Sequence, residues 1–163
     1  IQPHVVYLSI SSGVKVGVTR KNSIETRWID QGAIEGIILA EMPNRYLAGK
    51  MEVQLKQHVS DKTSWMKMLK GEINKVDLAQ KKTEIVNLIS NDFKPYIINE
   101  NNVCKIKFPI EIHPKKIKSM SLDKQNVLNE KLIGIKGQYL IFESNHVFNV
   151  RRHAGYYIDF SII

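Results

Sequence analysis

The sequence predicts an α+β fold: a small β-β-α-β-α domain with a helical extension, followed by a mostly antiparallel, β-rich domain resembling a small barrel. Up to about residue 93, apolar residues fall in short runs or at helical spacing, whereas after residue 104 they alternate with polar residues. The polar run "NENN" at residues 99–102 separates the two patterns. We therefore expect a first domain at residues 1–60, a helical extension at 61–100 and a basic β-rich domain at 101–163.

The first two strands and the first helix are predicted within the opening 32 residues. Residues 4–19 contain two apolar runs joined by the turn-forming cluster Ser11-Ser12-Gly13, so they predict a pair of strands. Ser23 is expected to cap a short helix that ends near Gln31. Gly32 is expected to terminate that helix, because glycine readily adopts the left-handed backbone conformation found there.

A third strand and a long helix complete the first domain. The segment "AIEGIILAEM" at residues 33–42 is rich in isoleucine and is followed by Pro43, which predicts a strand. From residue 44 to residue 59, apolar residues recur at helical spacing and predict an amphipathic helix. In the extension, residues 61–71 predict a turn followed by one or two helical turns, and residues 76–93 predict a second helical segment.

The last third of the chain is predicted to contain strands. "KIKFPIEI" at residues 105–112 alternates strictly, as a half-buried strand does. "KIKSMSL", "IGIKGQYLIF" and "VFNVRRHAGYYIDFSI" predict further strands, with a hairpin turn at "ESNH". Gly134 and Gly137 lie inside one of these segments and predict a bend or bulge, such as those at the corners of small barrels.

Composition restricts the class of protein. At 163 residues and 43% hydrophobic, the chain can bury a proper core. No run approaches the roughly 18 apolar residues of a membrane helix, so we expect no membrane contact. The single cysteine, Cys104, excludes an internal disulfide framework, predicts a reducing cytoplasmic location and is expected to fill the core. Because the chain begins at Ile1 without an initiator methionine, we expect it to be part of a longer polypeptide.

The net charge of +8 is distributed unevenly. Residues 101–163 contain ten Lys and Arg against five Asp and Glu, so they carry five of the eight excess positive charges. This charge favours a polyanionic partner such as nucleic acid, although a solvated lysine-rich surface accounts for it equally well. Aromatic residues interleave with the basic ones, and they either stack on bases or form the core of their own domain. The basic residues expected to contact the phosphate backbone are Lys115, Lys116, Arg151 and Arg152.

Five residues of the first domain are candidates for a functional site. Tyr7 lies on the first predicted strand, and Lys15 and Gly17 lie on the second. Glycine weakens a strand interior unless something approaches the backbone closely. Arg27 lies on the short helix, where an ordinary ion pair would also explain it. Glu52 lies at the margin of the apolar side of the long helix, as a solvated edge or as a placed ligand.

The order of these residues resembles the GIY-YIG nuclease superfamily. Over residues 5–52, the tripeptides "VYL" and "KVG" are followed by an arginine on a helix and by a glutamate on the next long helix. A wider resemblance, to an uncharacterised bacterial domain-of-unknown-function family, covers nearly the whole chain. It is carried by "HVVYLSISSGVKVGVTR", "RWIDQGA", "AGKMEVQLKQHVSDKTSW" and "GIKGQYLIF…VFNVRRHAGY". Members of that family carry a cysteine-rich, zinc-binding segment ahead of "HVVYL", so zinc is expected only in such an upstream segment.

The resemblance to the nucleases implies hydrolysis of a phosphodiester with one divalent metal ion. By this resemblance, Glu52 holds Mg²⁺ or Mn²⁺, hard ions that prefer carboxylate and water oxygens. Arg27 clamps the phosphate with a guanidinium that stays charged. Tyr7 orients or deprotonates the attacking water. Gly17 leaves room for the scissile phosphate, and Arg20 adds a further contact with the nucleic acid.

Two positions depart from the superfamily pattern. Lys15 stands where the second tripeptide has a tyrosine, and a charged lysine suits phosphate binding better than base catalysis. Gln31 stands where many active members have a histidine or tyrosine, and glutamine cannot act as a base. The sequence therefore leaves three hypotheses: a metal-dependent nuclease acting on DNA or RNA, a non-catalytic nucleic-acid-binding protein, and a protein-interaction module.

Overall fold

A computed structural model of the chain describes residues 2–59 and 63–162 and shows an α+β fold built on two four-stranded sheets. The first part of the chain has the predicted β-β-α-β-α order. Its elements are β1 (His4–Ile10), β2 (Val14–Arg20), α1 (Ile24–Asp30), β3 (Glu35–Met42) and α2 (Arg45–Lys56). The extension supplies α3 (Trp65–Lys70), α4 (Leu78–Val86) and a 3-10 turn (Asn91–Tyr96). The predicted division between residues 60 and 61, and the start of the predicted turn at 61, lie outside the described residues.

The second sheet is formed by the last third of the chain. The remaining strands are β4 (Cys104–Lys105), β5 (Lys118–Met120), β6 (Leu132–Lys136), β7 (Tyr139–Phe142) and β8 (His146–Asn149). The first sheet has the order β2-β1-β3-β4, and the second has the order β5-β8-β7-β6. Every strand pairing is antiparallel except the parallel pairing of β5 with β8. The second sheet is open, so the predicted barrel shape is wrong.

The first sheet is covered on both faces. β1 is one of its two interior strands, and every residue from Val5 to Ile10 is buried, as expected when both faces of a strand are packed. One face packs against α2 and α4 through an apolar cluster that includes Leu8, Met51 and Ile85. The opposite face carries a smaller cluster built around Tyr7, Trp28 and Ala33. This smaller cluster lies beneath α1 and contains the first candidate residue.

The extension packs on both sheets. α4 joins the core of the first sheet, whereas α3 joins the core of the second, where Met68 and Leu69 meet Ile141 and Val147. The buried Lys136 Nζ donates to the carbonyl oxygen of Met68 at 2.9 Å, near the end of α3. β4, from beyond residue 100, pairs with β3 of the first sheet. The three-domain division at residues 60 and 100 therefore stays a prediction, and packing crosses both divisions.

Several strand predictions in the last third need correction. "KIKFPIEI" contributes only Lys105 to the two-residue β4, together with an isolated bridge from Ile110 to Gly134, because Pro109 has no N–H to donate to a ladder. "IGIKGQYLIF" is a hairpin, not one bent strand, with Gly137 in its turn at φ 58°. A register shift between Leu132 and Gly134 confirms the bulge. After β8 the chain forms a 3-10 turn (Arg151–His153) and then no further strand through residue 162.

Two smaller predictions are also corrected. Cys104 is exposed and does not fill the core, because the short β4 leaves its side chain at the edge of the sheet. Ser23 precedes α1 as predicted, but its side chain makes no capping hydrogen bond. A 3-10 turn (Lys21–Ser23) leads into the helix and gives Ser23 a ψ of 10°, far from the extended backbone of a capping residue. Among the described residues, no helix has the length and apolar character needed to cross a membrane.

The packing of Trp28 on Gly36 predicts a specific loss of stability. A Cβ on Gly36 would lie 2.6 Å from Trp28 Cδ2, and Trp28 is buried. We expect Gly36→Ala to lower the free energy of unfolding by about 1–3 kcal/mol, as overpacking does, in chemical denaturation. In a Trp28→Leu background the same change should have a smaller effect. An equal loss in both backgrounds would show that the contact with Trp28 is not its cause.

Candidate functional site

The Tyr7 side chain lies across the neighbouring strand. Tyr7 pairs with Gly17 in the β1–β2 register, and a Cβ on Gly17 would lie 2.5 Å from Tyr7 Cζ. The close approach predicted at Gly17 is therefore made by the tyrosine ring. The contact of Gly17 with nucleic acid stays a prediction. Because β2 is an edge strand, the ring carries its hydroxyl toward the margin of the sheet.

The Tyr7 hydroxyl belongs to a hydrogen-bonded group. It donates to Gln31 Oε1 at 3.2 Å, and the ring meets Trp28 edge to face at 5.9 Å between centroids. Burial raises the pKa of Tyr7 above its ordinary value of 10.0, while hydrogen bonds with Arg27 and Gln31 and the charge of Arg27 oppose this rise. The negative charge of Glu52 adds to the rise in pKa. The phenol is therefore protonated at neutral pH.

Arg27 hydrogen-bonds with this hydroxyl from α1, and Glu52 on α2 acts on it through its charge. Arg27 lies exposed on α1, one position before the buried Trp28. Glu52 lies on α2 beside the buried Met51, with its side chain 19% exposed, and its carboxylate is 3.3 Å from Lys56 Nζ. Both charges affect the pKa of Tyr7, so the structure brings a cation and a carboxylate to one buried phenol.

The remaining candidates on β2 divide between its two faces. Lys15 pairs with Ser9 and lies two residues from Gly17, so it shares the face that carries Tyr7. Arg20 lies three residues from Gly17 and therefore projects from the other face, at the exposed end of the strand. Arg20 does not join the group around Tyr7, and its contact with nucleic acid stays a prediction.

The structure adds three polar groups that sequence reasoning did not place in the site. Gln31 was expected only as a residue unable to act as a base, but it accepts the hydrogen bond of Tyr7. The sequence feature that points to Gln31 is its position four residues after Arg27. The buried Ser9 Oγ and Trp28 Nε1 have no hydrogen-bond partner within the described part of the chain. No sequence signal distinguishes those two from ordinary core residues.

Glu52 is a single carboxylate at the place where the resemblance implies a metal ligand. Within residues 2–59 and 63–162, no group of three or more His, Cys, Asp or Glu side chains could hold a metal ion. Mg²⁺ is, however, commonly bound by one or two carboxylates together with substrate phosphates and water. A single half-buried carboxylate fits that pattern. In the structure Lys56 pairs with the Glu52 carboxylate, and a metal ion would have to displace it.

The basic residues of the last third lie at two ends of one strand. Lys115 donates its backbone N–H to Asn145 Oδ1, just before β8, whereas Arg151 and Arg152 follow β8. Arg151 lies 3.9 Å from the carboxylate of Asp30, at the end of α1. Lys115, Lys116, Arg151 and Arg152 are all exposed. They form two separate groups, and the second group borders the first sheet's α1.

The raised pKa of Tyr7 predicts how stability depends on pH. The unfolded chain loses this proton near pH 10.0, before the folded protein does. The stability contributed by the protonated phenol is therefore complete below pH 10.0 and is lost as pH rises through the folded-state pKa. We expect Tyr7→Phe to lose less stability than the wild type above pH 10.0 in denaturation curves. Tyr46→Phe, which changes an exposed tyrosine, is the control. Parallel curves for wild type and Tyr7→Phe would contradict this assignment.

Comparison with known proteins gives a family. The family model described as "Protein of unknown function (DUF2797)" matches residues 1–158. No curated protein and no solved structure gave a match. The match covers nearly the whole chain, as the wider resemblance implied, and confirms an uncharacterised family. The chain therefore belongs to the DUF2797 family of proteins of unknown function.

Proposed function

We propose that this protein binds nucleic acid and that Tyr7 and Arg27 form a site for one backbone phosphate, with Glu52 beside it as a carboxylate that can hold a cation. The observation that carries the proposal is that the buried Tyr7 hydroxyl hydrogen-bonds with Gln31 and with the exposed Arg27 on α1, and that the half-buried Glu52 on α2 lies close enough for its charge to act on it. The order of these residues along the chain, which resembles the GIY-YIG nucleases, supports the same site. The net charge of +8 is consistent with a polyanionic partner.

Each residue has a distinct part in this proposal. Arg27 offers an exposed planar guanidinium that can bind two phosphate oxygens. Tyr7 hydrogen-bonds with Arg27 and Gln31 and so restricts where the guanidinium can lie. Lys15, on the same face of β2, adds a positive charge beside the phosphate.

Hydrolysis of the bound phosphodiester is a second candidate function, favoured by the position of Glu52. Glu52 would hold one Mg²⁺ or Mn²⁺, which when bound stabilises the leaving oxygen and the charge developing on the phosphate. Tyr7 would orient the attacking water while protonated. Its raised pKa leaves little phenolate at neutral pH to act as a base, so proton removal by Tyr7 would become faster as pH rises toward that pKa. The cysteine-rich, zinc-binding segment remains a feature of the resemblance and plays no part in this site.

The salt dependence of binding tests the phosphate site. Labelled single- and double-stranded DNA and RNA are titrated with the protein at several salt concentrations. Arg27→Gln should weaken binding and reduce the steepness of the log–log salt plot by about 0.9 for duplex DNA, the value for one phosphate. Arg27→Lys, which keeps the charge, should keep the slope. If the log–log salt plot of Arg27→Gln had the same slope as that of the wild type, Arg27 would not contact a phosphate.

The same titration measures the part played by the last third of the chain. Reversing charge at Lys115, Lys116, Arg151 and Arg152 together should flatten the slope further, because each neutralised phosphate contributes to it. Charge reversal of Lys115 and Lys116 alone, and of Arg151 and Arg152 alone, shows which end of β8 contacts the nucleic acid. Reversal of the exposed Lys75 and Lys94, in the helical extension, is the matched control for each pair. A protein that binds none of the nucleic acids would favour the protein-interaction hypothesis.

Glu52→Gln separates hydrolysis from binding. If the protein cleaves nucleic acid with Mg²⁺ or Mn²⁺, this change should abolish cleavage, because an amide is a much weaker ligand than a carboxylate. Binding should remain, since no positive charge is lost. Glu25→Gln, which alters an exposed carboxylate on α1, should cleave like the wild type. Undiminished cleavage by Glu52→Gln would reject Glu52 as the metal ligand, and binding without any wild-type cleavage would support the non-catalytic hypothesis.

A further inference from the structure

A glycine in the middle of α2 has no structural explanation within the protein. Gly49 is the fifth of the twelve residues of the helix, and inside a helix glycine is less favourable than alanine. Apart from its chain neighbours and the backbone of its own helix, a Cβ placed on Gly49 would meet no heavy atom of the described residues within 4 Å. Gly49 lies inside α2 and does not have a positive φ, so its backbone does not require glycine. Alanine would therefore fit and would strengthen the helix.

Each of the other glycines whose surroundings the structure describes is explained by a contact or a backbone conformation within the protein. Gly17 and Gly36 make room for aromatic rings, and Gly134 lies against Ile110. The remaining glycines with described surroundings have positive φ values: Gly32, Gly71, Gly137 and Gly155. Gly49 alone in this set has neither a neighbour to accommodate nor a special backbone conformation. The space above it is open to a molecule from outside.

Gly49 lies on the flank of α2 that carries Glu52. Ala48, Met51 and Leu55 form the buried stripe of the helix. The residues that directly follow the stripe along the chain form a flank of the helix, with the spacing i, i+4, i+7 and i+11. This flank contains Arg45, Gly49, Glu52 and Lys56. Anything that lies in the open space at Gly49 is therefore one helical turn from Glu52 and one turn from Arg45.

The side chains around this space are those that bind a nucleic-acid strand. Arg45 is exposed and forms no ion pair with any described residue. Tyr46 is 69% exposed, and Lys50 Nζ lies 5.1 Å from the centroid of its ring. Two cations and an exposed aromatic ring beside bare backbone match the backbone-tracking and base-stacking surfaces of proteins that bind single strands. The charge of the surface is complementary to phosphate.

We propose that the nucleic-acid strand bound at Arg27 and Glu52 crosses α2 at Gly49, with its sugar-phosphate backbone packed against the helix. This inference rests on the proposed function and adds the path of the strand. Arg45 and Lys50 neutralise the phosphates on either side of the crossing, and Tyr46 contacts a base. Gly49 contributes space and not a hydrogen bond, because amides inside a helix already donate to the preceding turn. The absence of a side chain lets the strand approach the helix closely enough to reach Glu52.

Gly49→Ala tests this path by separating stability from binding. Alanine raises helix propensity without a clash, so the melting temperature should rise by about 2–4 °C for a chain of this size. The added methyl group holds the strand away from the helix, so affinity for the labelled oligonucleotide that the wild type binds best should fall about tenfold, the effect of one lost charge-assisted contact. Gly49→Gln, which fills more of the space, should bind more weakly still.

Thr83→Ala is the matched control. It also raises helix propensity at an exposed helical position, on α4, and should raise the melting temperature without changing affinity. Unchanged affinity for Gly49→Ala, with wild-type binding intact, would overturn the path across α2 and leave the phosphate site standing. A lower melting temperature for Gly49→Ala would also overturn it, since the space would then not be open. Failure of the wild type to bind any nucleic acid would instead reject the proposed function, and this inference with it.

Discussion

The packing of Tyr7 over Gly17 organises the part of the molecule that carries the candidate site. β1 is buried on both faces, so a large side chain on it needs room that a neighbouring strand must leave. Gly17, on β2, leaves that room for Tyr7. Gly36, on β3, leaves room for Trp28 of α1. The two rings then meet edge to face, a geometry that aromatic pairs favour. This arrangement fixes α1 over the sheet and places a phenol where α1 and α2 both bring charges.

The buried phenol sets the chemistry open to the site. A protonated Tyr7 donates one hydrogen bond, and Gln31 accepts it. The carboxylate of Glu52 raises the pKa of this phenol, so a cation that pairs with Glu52 weakens that effect. Lys56 already does so from the next turn of α2, at an exposed position where solvent screens the pair. Occupation of Glu52 by a stronger cation and ionisation of Tyr7 are therefore coupled, which links the binding of a counter-ion to any role of Tyr7 as a base.

The periodicity of the sequence was enough to predict β1, β2 and β3 of the first sheet and the helices α1 and α2, because buried stripes and runs there are long, but β4 was expected in the other domain. It was not enough for "KIKFPIEI", since an alternating segment with Pro109 can pack in extended form without a strand ladder. Gly137 fitted a bend or a turn equally well until pairing was known. In the site, residue order identified Tyr7 and Glu52 as candidates. The partner of Gln31 and the open space at Gly49 depend on tertiary contacts that no local pattern contains.

The second sheet contributes to the site by holding the turn that contains Gln31. A Cβ on Gly137 would lie 3.0 Å from the carbonyl oxygen of Asp30 and from the amide nitrogen of Gly32, so the β6–β7 turn packs directly on both neighbours of Gln31. Lys136, the adjacent residue, is buried and donates to the carbonyl of Met68. Burial also lowers the pKa of Lys136, and this buried, hydrogen-bonded lysine is not one of the surface charges. The position of Gln31, and with it that of the Tyr7 hydroxyl, therefore depends on the two sheets remaining packed together.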